Sequence, residues 1–154
     1  MCGRYVLVSP AQALAAHFAL AAMPAYRPSY NIAPTAQVPV IRVGPARGRE
    51  FVLLRWGLIP AWTKNLAGLS MMNNARAESL AEKPAFREAF RMRRCIVPVD
   101  GYFEWDEKVK PHRPHYFQAD GDASLLGLAG LWETWRGPDG KAIESFAIVT
   151  RAAD

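Results

Sequence analysis

The feature that most limits what this chain can fold into is a succession of short apolar stretches cut apart by turn residues. Val38–Val43, Phe51–Trp56, Cys95–Val99, Tyr102–Trp105, His115–Ala119, Leu125–Trp132 and Glu144–Thr150 each run for four to eight residues. Glycine-bearing turns follow several of them, at Gly44–Gly48, Gly121 and Gly137–Gly140. Segments of this length and composition, bounded by such turns, form strands and hairpins. Only two stretches carry helical signals. In the first, Ser9 is placed to cap, Pro10 suits the first helical position and Gln12 completes a capping box, with Leu14 and Phe18 on one face up to about Leu20. The second runs from Pro84 to about Met92, with Phe86 and Phe90 on one face. Residues 23–36 contain Pro24, Pro28 and Pro34 and read as irregular, extended chain. The pattern predicts an α+β fold, mostly antiparallel β, with a barrel-like core and flanking helices. At 154 residues a single domain over 1–154 is expected.

Composition narrows the function. No apolar run approaches the roughly 20 residues that span a bilayer, and no secretory signal is read at the N-terminus, so a cytoplasmic location is expected. Cys2 and Cys95 form no disulfide framework and no C-x-x-C pair. The net charge is +5, but residues 1–77 hold eight Lys/Arg against one acid, Glu50. Arg outnumbers Lys by fourteen to five. Arginine binds phosphate in a planar, bidentate manner and stacks on bases, so a polyanionic partner such as nucleic acid fits this half. A biased genome composition gives the same excess.

Cys2 is the sharpest single residue. Removal of Met1 ahead of a small residue leaves a chain whose first residue carries both a free amine and a thiol. An α-amine has a pKa near 7.7–8.0, so an unprotonated fraction exists at neutral pH. It condenses with an aldehyde to an imine, and the thiol then closes a five-membered thiazolidine. An internal cysteine cannot do this, because its nitrogen is an amide.

The segments that follow Met1-Cys2-Gly3-Arg4-Tyr5 are distinctive in their order. They are Tyr30-Asn31-Ile32-Ala33-Pro34-Thr35, Leu54-Arg55-Trp56-Gly57-Leu58-Ile59-Pro60, Asn74-Ala75-Arg76-Ala77-Glu78, and the run from Cys95-Ile96-Val97-Pro98 through Gly101-Tyr102-Phe103-Glu104-Trp105. This series resembles the SRAP family (SOS response-associated peptidases, abasic-site sensors of bacteria and eukaryotes). The resemblance covers essentially the whole chain. It implies that Cys2 is the nucleophile that forms a thiazolidine with the ring-opened deoxyribose of an abasic site in single-stranded DNA. It implies that Asn74 positions the sugar and the Cys2 amine, that Glu104 is the catalytic carboxylate, and that Arg4 and Arg76 contact phosphates. The chain would then work in the cytoplasm, at damaged nucleoid DNA. The family also carries a histidine, followed shortly by Arg and Pro, soon after the segment that is here Thr150–Asp154. The chain is expected to lack that histidine and the rest of the family's C-terminal portion. An unpaired edge near residues 144–150 would follow and would invite association.

The chemistry suits these roles. A closed abasic sugar needs a proton carrier to open, which a carboxylate between Phe103 and Trp105 can supply. An amide orients an amine without carrying charge. On residue chemistry alone, an outward strand position or a salt bridge serves Glu104 equally well. Trp62, in a loop over residues 62–73, either stacks on a base beside the lesion or lies partly buried under its own loop. Trp56, Trp105 and Trp132 are assigned to the core, and Cys95 to the core as a small hydrophobe. Gly127 and Gly130 lie in an apolar strand and read as packing glycines. His112 and His115 have no acid or cysteine to complete a metal set, so no metal and no cofactor are expected; His17 falls in the first helix, and no obligate protein partner is indicated. Two other functions fit the residues: a thiol peptidase acting through Cys2, on a peptide bond or on its own Met1-Cys2 bond, and a non-covalent module for single-stranded DNA.

Overall fold

The longest hairpin of the chain shows how alternation builds the fold. In the computed structural model, which describes residues 1–121 and 125–152, the strands are β1 (Arg4–Leu7), β2 (Ser29–Ile32), β3 (Gln37–Val43), β4 (Arg49–Trp56), β5 (Asn74–Arg76), β6 (Arg94–Val99), β7 (Gly101–Asp106), β8 (Arg113–Gln118), β9 (Leu126–Arg136) and β10 (Ala142–Thr150). Helix α1 spans Ala11–His17 and α2 spans Arg87–Met92, with a 3-10 turn at Ala77–Ser79. β3 and β4 pair antiparallel in full register, from Gln37 opposite Arg55 to Val43 opposite Arg49.

One sheet runs β4-β3-β6-β9-β10-β5, and β10 also pairs with β4, which closes five of its strands into a barrel. Closure is parallel, with Ser145 opposite Arg55 and Phe146 opposite Trp56. At Gly57 the chain turns out of β4 with φ 117°, a conformation that favours glycine. It returns as β5, which pairs with the last turn of β10 at Ile148–Asn74, Val149–Ala75 and Thr150–Arg76. β10 is therefore paired on both sides, and the expected open edge at 144–150 is corrected: the barrel closes within the chain's own strands.

The second sheet, β2-β1-β7-β8, is antiparallel. β6 and β7 are consecutive but lie in different sheets, and Asp100 is the corner between them. Its backbone N–H donates to Val6 O at 2.8 Å, and its buried carboxylate accepts from Val8 N–H at 2.6 Å, Ser9 N–H at 3.0 Å and the Ser9 hydroxyl. This network overrides the expected cap. The Ser9 side chain serves Asp100, Pro10 takes the N-cap position and no side chain caps α1. The helix stops at His17, with Leu14 fully buried and Phe18 half-buried against the core.

The main core joins the two sheets. The Tyr5 ring lies 5.1 Å from that of Trp56, which stacks on Phe146 at 6.4 Å and 11°. A smaller cluster under α2 holds Leu58, Ala75, Leu80, Phe86, Ala89, Leu131 and Ala147. Gly130 is a packing glycine as expected: a Cβ there would lie 2.8 Å from Cys95 Sγ and 3.1 Å from Val97 Cγ2.

Three further expectations are corrected. Residues 29–32 form β2, because pairing with β1 supplies hydrogen bonds that local sequence does not. Phe90 is exposed and Ala89 takes the buried position of α2. Trp105 is 39% exposed near the end of β7, with its ring 6.4 Å from that of Phe103, whereas Trp56 is fully buried and Trp132 sits half-buried 4.3 Å below the Arg42 guanidinium. No helix among the described residues is long and apolar enough to cross a membrane.

Candidate functional site

The N-terminus reaches the site because β1 lies between β2 and β7 in the second sheet. Pairing of Arg4 with Phe103 and Tyr5 with Tyr102 carries the three residues before β1 toward Glu104 on β7. Glu104 follows Phe103 on the opposite face of β7, and its Oε2 accepts from the Met1 ammonium at 2.8 Å. From the barrel side, β5 delivers Asn74, whose Nδ2 donates to the Cys2 carbonyl at 2.8 Å. Asn73 Nδ2 donates to the same oxygen at 3.4 Å. Residues 1 and 2 are thus gripped by a carboxylate from one sheet and two amides from the other. Asn74 Oδ1 is buried with no hydrogen-bond partner among the described residues.

Cys2 is only 4% exposed, and its thiol donates a long hydrogen bond to Arg4 O at 3.8 Å. Burial, and next the charge of Glu104, push the thiol up to about 12, against smaller pulls from the Arg4 carbonyl and the N-terminal ammonium. A thiol so placed is protonated at neutral pH and is a poor nucleophile by itself. Cys95 is likewise buried in the barrel and pushed up to about 12 by burial.

A cavity of about 700 Å³ opens beside the terminus, lined by Met1, Arg76, Glu78, Ser79, Lys83, Glu104, Thr150, Arg151 and Ala152. Met1 and Glu104 form part of its wall, while Cys2 and Asn74 are not in its lining. Arg76, Lys83 and Arg151 make one side cationic. Glu78 Oε1 accepts from Ala152 N–H at 3.3 Å; its own backbone N–H first, then that of Ala152, hold its carboxyl below the ordinary value. No histidine is in the lining.

The structure therefore brings Cys2, Asn74 and Glu104 together and sets Arg76 on the adjoining cavity. Arg4 and Trp62 do not line it. Arg4 Nη1 donates to Asn31 Oδ1 at 2.8 Å on the β1–β2 side. Trp62 is 63% exposed, on a loop fixed by Ile59 N–H donating to Ser145 Oγ at 2.8 Å and the Trp135 indole N–H donating to Thr63 O at 2.6 Å. Its buried alternative is excluded. Of the three cavity cations, only Arg76 belongs to the basic half 1–77. Sequence reasoning missed Asn73, Lys83 and Arg151. Asn73 and Lys83 flank the Asn74–Glu78 segment, and that adjacency was the available signal. Arg151 falls in the Thr150–Asp154 segment, of which Ala153 and Asp154 lie outside the described residues.

Fold and site together define a closed β-barrel with an appended sheet, the two converging on a buried cysteine next to the N-terminus. The chain belongs to the SOS response associated peptidase (SRAP) family, whose model matches residues 1–154. It is similar to the abasic site processing protein YoqW of Bacillus subtilis (strain 168), with 38% identity over 157 residues, 97% of this chain and 68% of that one. It is also similar to the abasic site processing protein HMCES of Xenopus tropicalis, with 29% identity over 153 residues, 81% of this chain and 46% of that one. A crystal structure of a Bordetella bronchiseptica protein superposes with a TM-score of 0.84 at 31% identity, covering 99% of this chain and 74% of that one.

Proposed function

We propose that the chain processes abasic sites in DNA by covalent capture on Cys2 once Met1 has been removed. Met1 lines the cavity, so its loss turns the Cys2 nitrogen toward that space as a free α-amine. Glu104 opens the closed sugar by moving protons between its ring oxygen and anomeric hydroxyl. The amine attacks the aldehyde carbon and expels water, giving an imine. The thiol adds to the imine carbon, a C–S bond forms, and the thiol proton ends on the ring nitrogen. Asn74 orients residue 2 throughout. Arg76 and Lys83 hold phosphates along a single strand, and Arg4 and Trp62 extend the contact outside the cavity.

The observation that carries this reading is the double grip on the terminus, Asn74 on the Cys2 carbonyl and Glu104 on the terminal ammonium, each at 2.8 Å. A carboxylate that already holds the Met1 ammonium is one residue along the chain from the amine the reaction needs. A thiol that burial keeps protonated beside the chain terminus fits a reaction led by the amine better than one led by the thiol. The test is incubation of Met1-processed protein with a single-stranded oligonucleotide bearing one abasic site, followed by a denaturing gel. Wild type should give a shifted band that Cys2→Ala lacks. A band that persists in Cys2→Ala refutes the nucleophile. Salt-sensitive binding, equal for intact and abasic strands and with no band, would favour a non-covalent module.

A further inference from the structure

Tyr5 raises a problem that folding alone does not answer. It is fully buried on β1, and its hydroxyl has no hydrogen-bond partner among the described residues. Leaving a buried hydroxyl unpaired is costly, and such groups are rare. Phenylalanine would fill the same space without that cost.

The surroundings of Tyr5 point to the reacting residue. Its ring lies 5.1 Å from that of Trp56, whose indole N–H donates to Asn73 O at 2.9 Å. The side chains of Asn73 and Asn74 both donate to the Cys2 carbonyl. Tyr5, Trp56 and Cys2 share one buried cluster. Among the described residues the Cys2 sulfur makes the one long hydrogen bond to Arg4 O, through its own proton, so its lone pairs are open to a donor.

We infer that the Tyr5 hydroxyl donates a hydrogen bond to the Cys2 sulfur as the sulfur closes onto the imine carbon. The inference rests on the covalent-capture reading and adds a residue to it. During closure the sulfur loses its proton and passes through a state with more negative charge, which a nearby donor stabilises. The thiol proton goes to the ring nitrogen, the C–S bond forms, and Tyr5 keeps its own proton throughout. Burial, and next the charge of Cys2, hold the phenol well above its ordinary value, so it stays a donor across the working range. The charged groups that act on the sulfur are Glu104 from β7, which opposes its ionisation, and the N-terminal ammonium, which favours it. That ammonium belongs to Met1 and is absent once Met1 is removed and the Cys2 amine has become the imine, so Tyr5 counters Glu104 in its place.

The test compares Met1-processed wild type with Tyr5→Phe, using an abasic oligonucleotide in one arm and glycolaldehyde in the other. Borohydride trapping counts imine, and the borohydride-resistant adduct counts closed ring. Tyr5→Phe should form imine within about twofold of wild type and close the ring about tenfold more slowly at neutral pH. A tenfold loss equals one pKa unit, so its closure profile should move about one unit to higher pH. Its thermal midpoint should equal or exceed that of wild type. Fluorotyrosine at position 5, which keeps the hydroxyl, should restore closure. Equal closure rates for wild type and Tyr5→Phe in both arms overturn the inference, as does failure of fluorotyrosine to restore closure. Wild type that traps glycolaldehyde but not abasic DNA overturns the DNA reading, while the Tyr5 comparison is decided in the glycolaldehyde arm. Wild type that traps neither overturns both.

Discussion

Replacing Asp100 by alanine removes the acceptor that ties the corner between the two sheets to the end of β1. Three donors converge on its carboxylate: Val8 N–H at 2.6 Å, Ser9 N–H at 3.0 Å and the Ser9 hydroxyl. A hydrogen bond to a charged group contributes about 1.5–3 kcal/mol when its loss leaves the donor buried. Val8 and Ser9 are half-buried, so water recovers part of this. Roughly 1 kcal/mol per donor, or about 3 kcal/mol in all, is the expected loss. In a domain of this size each kcal/mol moves the thermal midpoint by about 2–4 °C, so the midpoint should fall by about 6–12 °C. Asp100→Asn keeps one acceptor oxygen and should lose about half as much. Urea unfolding followed by tryptophan fluorescence measures both variants. A loss below about 1 kcal/mol for Asp100→Ala, or a larger loss for Asn than for Ala, would refute the view that the three-donor grip holds the corner.

Other changes have separate outcomes. Asn74→Ala deletes the amide on the Cys2 carbonyl; one neutral hydrogen bond is worth about 1 kcal/mol, so the abasic adduct should form about fivefold more slowly by gel densitometry, and the thermal midpoint should fall by about 2–4 °C. Gly101→Ala puts a Cβ 2.4 Å from the Tyr116 ring and 2.6 Å from Phe117 O; overpacking of this kind costs about 2 kcal/mol and should show as an earlier urea midpoint. The folded chain holds the thiol protons of Cys2 and Cys95 up to about 12, whereas an unfolded thiol ionises near 8.5. The unfolded state therefore releases protons first, and stability should fall from about pH 8.5 toward 12, less steeply in Cys95→Ala.

Strand positions were legible because alternation and glycine turns are local signals. The pairing of β10 with β4 and β5 was not, since it joins residues some 90 and 74 positions apart (Phe146 with Trp56, Thr150 with Arg76) and leaves no local mark. β2 was hidden by its flanking Pro28 and Pro34, whose turn signals outweighed four residues of strand. Ser9 has the chemistry of a cap, and only the fold reveals the stronger acceptor, Asp100. At the site, Cys2, Asn74, Glu104 and Arg76 could be picked out because their motifs lie in family order. Asn73 and Lys83 lie only beside the Asn74–Glu78 segment, and Tyr5 stands in the first motif with no role attached to it. Tyr5 in particular reads as an ordinary inward aromatic until its unpaired hydroxyl is seen.

The central claim is that one residue, Cys2, supplies both atoms that bond to the sugar. Trypsin digestion and tandem mass spectrometry of the purified abasic adduct test it directly. The account predicts the peptide Cys2-Gly3-Arg4 carrying the sugar remnant with the loss of one water, its amine and thiol both blocked to labelling. A remnant attached to a lysine, or found on a peptide that still begins with Met1, would contradict it.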